Sequence, residues 1–251
     1  MMIRNMVNFE PHTLRETNII TDNVSLYTYS LRPQQLRKDN LTAVILHGGG
    51  ESTSTIKYDK LAQLFADNGV AVICLDFVGH GKTGGAMTDN SLALRVQHAQ
   101  AAIEHWTTPK TPLILVGFSM SGHTAMRLVP RLGKRVKSVG LICSATYAAE
   151  AEEVSFGPDF TQILRTPESW RSSLGLRDLA DFTGKTMVIT GNEDTVVGWE
   201  ITVEIIRSAK TKSKELRVEV LGGVDHHLAI WLSEHKAFSE QVVHYLAEEM
   251  L

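Results

Sequence analysis

Ser119 stands alone between an apolar run and a helical pattern, in Val116-Gly117-Phe118-Ser119-Met120-Ser121-Gly122. A serine hydroxyl is a weak nucleophile at neutral pH. It needs a base to take its proton and a third group to orient that base. Two later segments offer them. Gly191-Asn192-Glu193-Asp194-Thr195 presents Asp194 with Glu193 beside it, and Gly222-Gly223-Val224-Asp225-His226-His227 presents two adjacent imidazoles. A fourth segment, His47-Gly48-Gly49-Gly50, can fold back on itself and expose main-chain N–H groups, as stabilising an oxyanion requires. The second donor would be the N–H of Met120, the residue after the serine. Together these types can carry acyl transfer through a covalent intermediate.

The elements must bring four distant segments to one place. Residues 113–116 read as a buried strand and 124–132 as a helix, which puts Ser119 on the sharp turn between them. Gly117 lies where such a turn leaves no room for a β-carbon. Ser121 stands two residues after the serine, where glycine is expected, and adds a side chain where the helix packs on a neighbouring strand. Residues 14–20 and 24–31 alternate and predict an antiparallel hairpin. Strand and helix then alternate: strands at 43–46, 70–75, 113–116, 139–142, 186–190 and 216–221, helices at 57–68, 91–106, 124–132, 199–209 and 234–250. That rhythm predicts a mostly parallel, doubly wound α/β sheet, with Ser119, Asp194 and the histidines at its C-terminal edge. Residues 148–183 interrupt it with Pro158, Pro167 and no clear strand. A stretch that long usually serves a purpose, and we read it as a short helical cap within a single domain spanning 1–251.

Bulk properties exclude several classes. A chain of 251 residues, 43% hydrophobic, can bury one large core, and a net charge of −3 gives no pull toward nucleic acid or anionic membrane. Cys74 and Cys143 lie in apolar runs and read as reduced, buried thiols. No apolar run is long enough to span a membrane, and residues 1–16 lack the apolar core of a leader, so a cytoplasmic location is expected. Adjacent histidines lack metal-site spacing, and Asp76 stands where a P-loop ending in Gly81-Lys82-Thr83 would need glycine, so neither metal nor nucleotide cofactor is expected. His47 and His80 read as residues that brace their own turns.

With these pieces in order, the sequence resembles the α/β-hydrolase superfamily from about residue 24 onward. Residues 76–83, Asp-Phe-Val-Gly-His-Gly-Lys-Thr, look like the D-x-x-G-x-G-x-S/T turn of its small members, and the G-F-S-M start of the elbow is similar to that of cofactor-free haloperoxidases and esterases. The resemblance implies Ser119 as nucleophile, Asp194 as acid, His226 as base, and Gly49 with Met120 as oxyanion donors. It selects Asp194 over Glu193 and His226 over His227.

The expected activity is hydrolysis of a small carboxylic ester, with Phe156, Phe160, Ile163, Leu164, Trp170 and Leu174 available as an apolar roof. The same trio could instead hydrolyse a carbon–carbon bond or form a peracid, and a non-catalytic small-molecule receptor is the remaining alternative.

Overall fold

The apolar runs of the central strands lack alternation because they are covered on both faces. In the computed structural model, which describes residues 8–50 and 53–248, strands β3 (Thr42–Leu46), β5 (Leu113–Phe118) and β7 (Lys185–Gly191) are buried throughout. With β1 (Thr13–Thr21), β2 (Val24–Arg32), β4 (Ala71–Leu75), β6 (Val136–Ile142) and β8 (Glu215–Leu221) they form an eight-stranded sheet in the order β1-β2-β4-β3-β5-β6-β7-β8. β1 and β2 pair antiparallel through a two-residue turn in which Asp22 and Asn23 both take positive φ, the geometry that matches the strands' twist. β2 runs antiparallel to β4, and every later pair is parallel. The fold is the mostly parallel sheet with an antiparallel start that the sequence predicts.

Two apolar layers cover the sheet. On one face, α1 (Asp59–Asp67), α7 (Leu228–Glu234) and α8 (Lys236–Ala247) contribute Phe65, Leu228, Leu232 and Val243 to a core with Tyr29, Val72 and Ile114. On the other, α2 (Leu92–Trp106), α3 (Met120–Leu132) and α6 (Trp199–Lys212) pack Val96, Met126 and Ile205 against Val44, Leu115 and Leu141. The helix expected over 234–250 is α8, and α7 precedes it as a separate helix that the sequence pattern did not indicate. His235 leaves the helical region at φ −111°, ψ 66°, and Leu228 and Leu232 give α7 its own buried stripe. The expected end of that helix, at 250, lies outside the described residues, as do residues 1–7 of the start.

Between β6 and β7 lie α4 (Pro158–Arg165) and α5 (Leu174–Ala180). Phe156 and Phe160 join Tyr147, Leu92 and Val197 in a third apolar cluster, against which Met120 and Ile163 pack. Of the other expected roof residues, Leu164 is exposed, Trp170 packs against the core of the α2, α3 and α6 layer, and Leu174, partly buried, opens α5, which sends Leu176 and Leu179 into that same core. Among the described residues, no helix is long and apolar enough to cross a membrane.

Candidate active site

β5 ends at Phe118, and Ser119 reverses the chain in a conformation few residues adopt, φ 52° and ψ −119°, before α3 begins at Met120. Such strain persists only where the surroundings enforce it. Here they do. The N–H of Ser119 donates to the carbonyl of Ile142 at 2.9 Å, and its carbonyl accepts from Gly122 and Ala145. A β-carbon on Gly117 would stand 2.6 Å from the carbonyl carbon of Ser121, so only glycine fits. The close approach of helix to strand that the sequence assigns to position 121 is made by Gly122, where a β-carbon would overlap the side chain of Ser144. Ser121 therefore does not crowd that contact. Its buried hydroxyl turns toward the glycine loop.

Ser119 starts α3 without capping it, since its hydroxyl makes no bond to the helix N–H groups. Instead Oγ lies 2.9 Å from Nε2 of His226, whose Nδ1 lies 2.8 Å from Oδ2 of Asp194. The carboxyl of Asp194 is buried, and its other oxygen accepts the N–H groups of Val196 and Val197, both at 2.9 Å. An acceptor carboxylate on Nδ1 fixes the proton there and leaves Nε2 facing the serine as a base. Glu193 is exposed and makes no comparable contact. His227 is exposed as well, paired with Asp225 at 3.0 Å.

The glycine loop follows β3. A β-carbon on Gly48 would lie 3.2 Å from Cβ of Ser119, and one on Gly49 would lie 2.7 Å from Cε of Met120. The loop backbone thus rides directly over the elbow, and side chains at 48 or 49 would push it away. Among the described residues, the N–H groups of Gly49 and Met120 have no hydrogen-bond partner in the protein. His47 accepts the N–H of Phe77 at Nε2, 3.0 Å, so Nδ1 carries the proton donated to the carbonyl of Gly48 at 2.7 Å. Burial, then the charge of Arg95, holds this imidazole well below its ordinary pKa near 6.5 and keeps it neutral. Asp76 ties the same region together, accepting from the N–H of Thr55 at 2.7 Å and of Lys82 at 2.8 Å.

A cavity of about 190 Å³ opens over Ser119, lined by the glycine loop and by Tyr58, Phe118, Cys143, His226 and Ile230 among others. Tyr58, Cys143 and Ile230 escaped the sequence reading. Only one signal pointed to any of them: Cys143 follows β6, whose C-terminal end lies beside the elbow. Burial pushes the Cys143 thiol up to about 12, so it stays protonated and does not compete with the serine. The cavity wall is built by the loops and α7, while Phe156 and Phe160 belong to a cluster that meets the elbow through Met120. Among the described residues, no group of three or more His, Cys, Asp or Glu could hold a metal ion.

Known proteins share this architecture. An esterase from Pyrococcus furiosus aligns over 94% of this chain and 92% of its own, with a TM-score of 0.67 at 19% identity. Est1E from Butyrivibrio proteoclasticus, in a structure with ferulic acid bound, covers 92% of this chain and 100% of its own, with a TM-score of 0.67 and 17% identity. A bromoperoxidase from Bacillus anthracis covers 94% and 100%, with a TM-score of 0.66 and 15% identity. At such identities the likeness establishes the fold. No curated protein sequence matches the chain. Residues 38–175, more than half of the chain and including the glycine loop and the elbow, match the serine aminopeptidase S33 family. The chain belongs to that family and is an enzyme of the α/β-hydrolase class.

Proposed function

We propose that this enzyme hydrolyses small carboxylic esters by two-step acyl transfer. Ser119 attacks the carbonyl while His226 takes its proton, Asp194 stabilises the imidazolium, and the N–H groups of Gly49 and Met120 receive the oxyanion. His226 then protonates the leaving alcohol. Water, deprotonated by the same imidazole, attacks the acyl-enzyme and releases the acid. The observation that carries this reading is the continuous contact from Asp194 through His226 to Ser119, at 2.8 and 2.9 Å.

The small cavity favours a short acyl or alcohol group over a long lipid chain. A panel of short-chain aryl esters, assayed beside β-diketones and peroxide-dependent halogenation, tests the reaction type. Ester turnover that is absent in Ser119→Ala supports it. Turnover of only the diketone or only the peroxide reaction transfers the same three residues to other chemistry, and turnover that survives Ser119→Ala overturns the reading.

A further inference from the structure

Among the described residues, the largest wholly buried side chain is a cation, Arg95 of α2. No carboxylate pairs with it among the described residues, and its Nε and Nη1 have no hydrogen-bond partner there. Burying an arginine without a counter-ion is costly, so its few contacts ought to matter. They converge on one place. Nη2 lies 2.6 Å from the carbonyl of His47, 3.2 Å from that of Gly48 and 2.8 Å from Oγ of Ser121. Ser121 in turn donates to the carbonyl of His47 at 2.5 Å. The guanidinium carbon sits 3.8 Å from the ring centroid of Phe77, which supports the cation from below.

We propose that Arg95 and Ser121 are positioning residues that lock the glycine loop with its N–H groups turned toward the nucleophile. The argument rests on the acyl-transfer reading above and on peptide geometry. A trans peptide is planar, with its C=O and N–H pointing in opposite directions. The carbonyl of Gly48 is held by Arg95 and by His47, so the N–H of Gly49 points the other way, toward the side on which Ser119 and Met120 lie. A loop of three glycines has little preference of its own and could rotate that peptide, turning a donor into an acceptor. The clamp removes that freedom. It also explains the serine in the elbow: Ser121 supplies a hydroxyl that bridges the arginine to the loop, a contact glycine cannot make. Burial lowers the guanidinium pKa to about 9, so Arg95 still carries its charge at neutral pH.

Ser121→Ala removes the bridge, Arg95→Lys keeps a charge but loses the planar fork, and Arg95→Met removes both. A role confined to transition-state stabilisation lowers kcat by about tenfold or more while KM stays within about twofold. Affinity for a trifluoromethyl ketone, whose hemiketal with the serine carries the oxyanion, falls by the same factor as kcat/KM. Thermal unfolding is followed alongside, and if Arg95→Met fails to fold, Ser121→Ala and Arg95→Lys decide the matter. Folded variants with kcat within about twofold of the unmodified enzyme, or with a change in KM alone, overturn the proposal. An unmodified protein that turns over no ester overturns the parent reading and this proposal with it, whereas an active enzyme indifferent to both positions overturns this proposal alone.

Discussion

At the scale of single residues, the site depends on two adjacent pairs that chemistry separates. Asp194 and Glu193 differ by one position, yet only Asp194 has its carboxyl buried against Nδ1 of His226. Asp194→Asn preserves the shape but lets the amide hold the wrong imidazole tautomer, so kcat is expected to fall by about 10³- to 10⁴-fold with KM little changed. His226 and His227 diverge in the same way. His227→Ala is expected to leave kcat within about twofold, because that ring is exposed and paired with Asp225; steady-state kinetics on one ester measures both variants. The residues we propose as reactive were legible as candidates in the sequence because each sits in a short segment with its own turn chemistry. Arg95 was not, since an arginine in the middle of a helix carries no local sign of what it will touch across the sheet. Tyr58 was hidden for the same reason.

At the scale of elements, the elbow is a packing problem solved by two glycines, Gly117 against the backbone of Ser121 and Gly122 against the side chain of Ser144. Gly122→Ala pushes a β-carbon into Ser144 and is expected to destabilise the fold by about 1–3 kcal/mol, measured by urea unfolding. Adding Ser144→Gly opens the space and restores most of the loss. The segment between β6 and β7 is tied to α3 by a second device. Glu152 lies 2.9 Å from Nε2 of His123 and 3.0 Å from Nε of Arg127, and Arg127 also pairs with Asp178 of α5. Burial alone would raise the pKa of Glu152, but the hydrogen bond from His123 and the charges of His123, Arg127 and Arg131 outweigh it, so its carboxyl lies below the ordinary value near 4.5. A lowered folded-state pKa means that this tie is fully present above about pH 4.5 and is lost as pH falls through the folded value. Limited proteolysis within residues 148–183 is therefore expected to accelerate on that acidification. Glu152→Gln is expected to be cut faster at neutral pH and to lose the acid-dependent step. This segment, read from the sequence as a cap, is also where the sequence pattern was least informative. Its elements are short, and α5 joins the main core through contacts that hydrophobic spacing over seven residues cannot distinguish from a roof.

At the scale of the whole molecule, the parallel sheet gathers segments that begin 47, 119, 194 and 226 residues along the chain at one edge. The alternation of strand and helix made this legible, because a right-handed strand–helix–strand repeat leaves its turns at that edge. The neutral, buried His47 beneath the loop gives the molecule a pH signature of its own. Its folded-state pKa lies well below 6.5, so between those two values the unfolded chain binds a proton that the folded chain does not. Stability is then flat above about pH 6.5 and falls below it by up to about 1.4 kcal/mol per pH unit from this group, as urea unfolding at stepped pH would record. The central claim, that the serine at the elbow is a nucleophile activated by the histidine beside it, is tested most directly by intact-protein mass spectrometry after treatment with a fluorophosphonate. The account predicts one phosphonyl adduct on the peptide containing Ser119, no adduct in Ser119→Ala, and a labelling rate reduced by orders of magnitude in His226→Ala. An unlabelled native protein, or equal labelling of the native protein and Ser119→Ala, would contradict it.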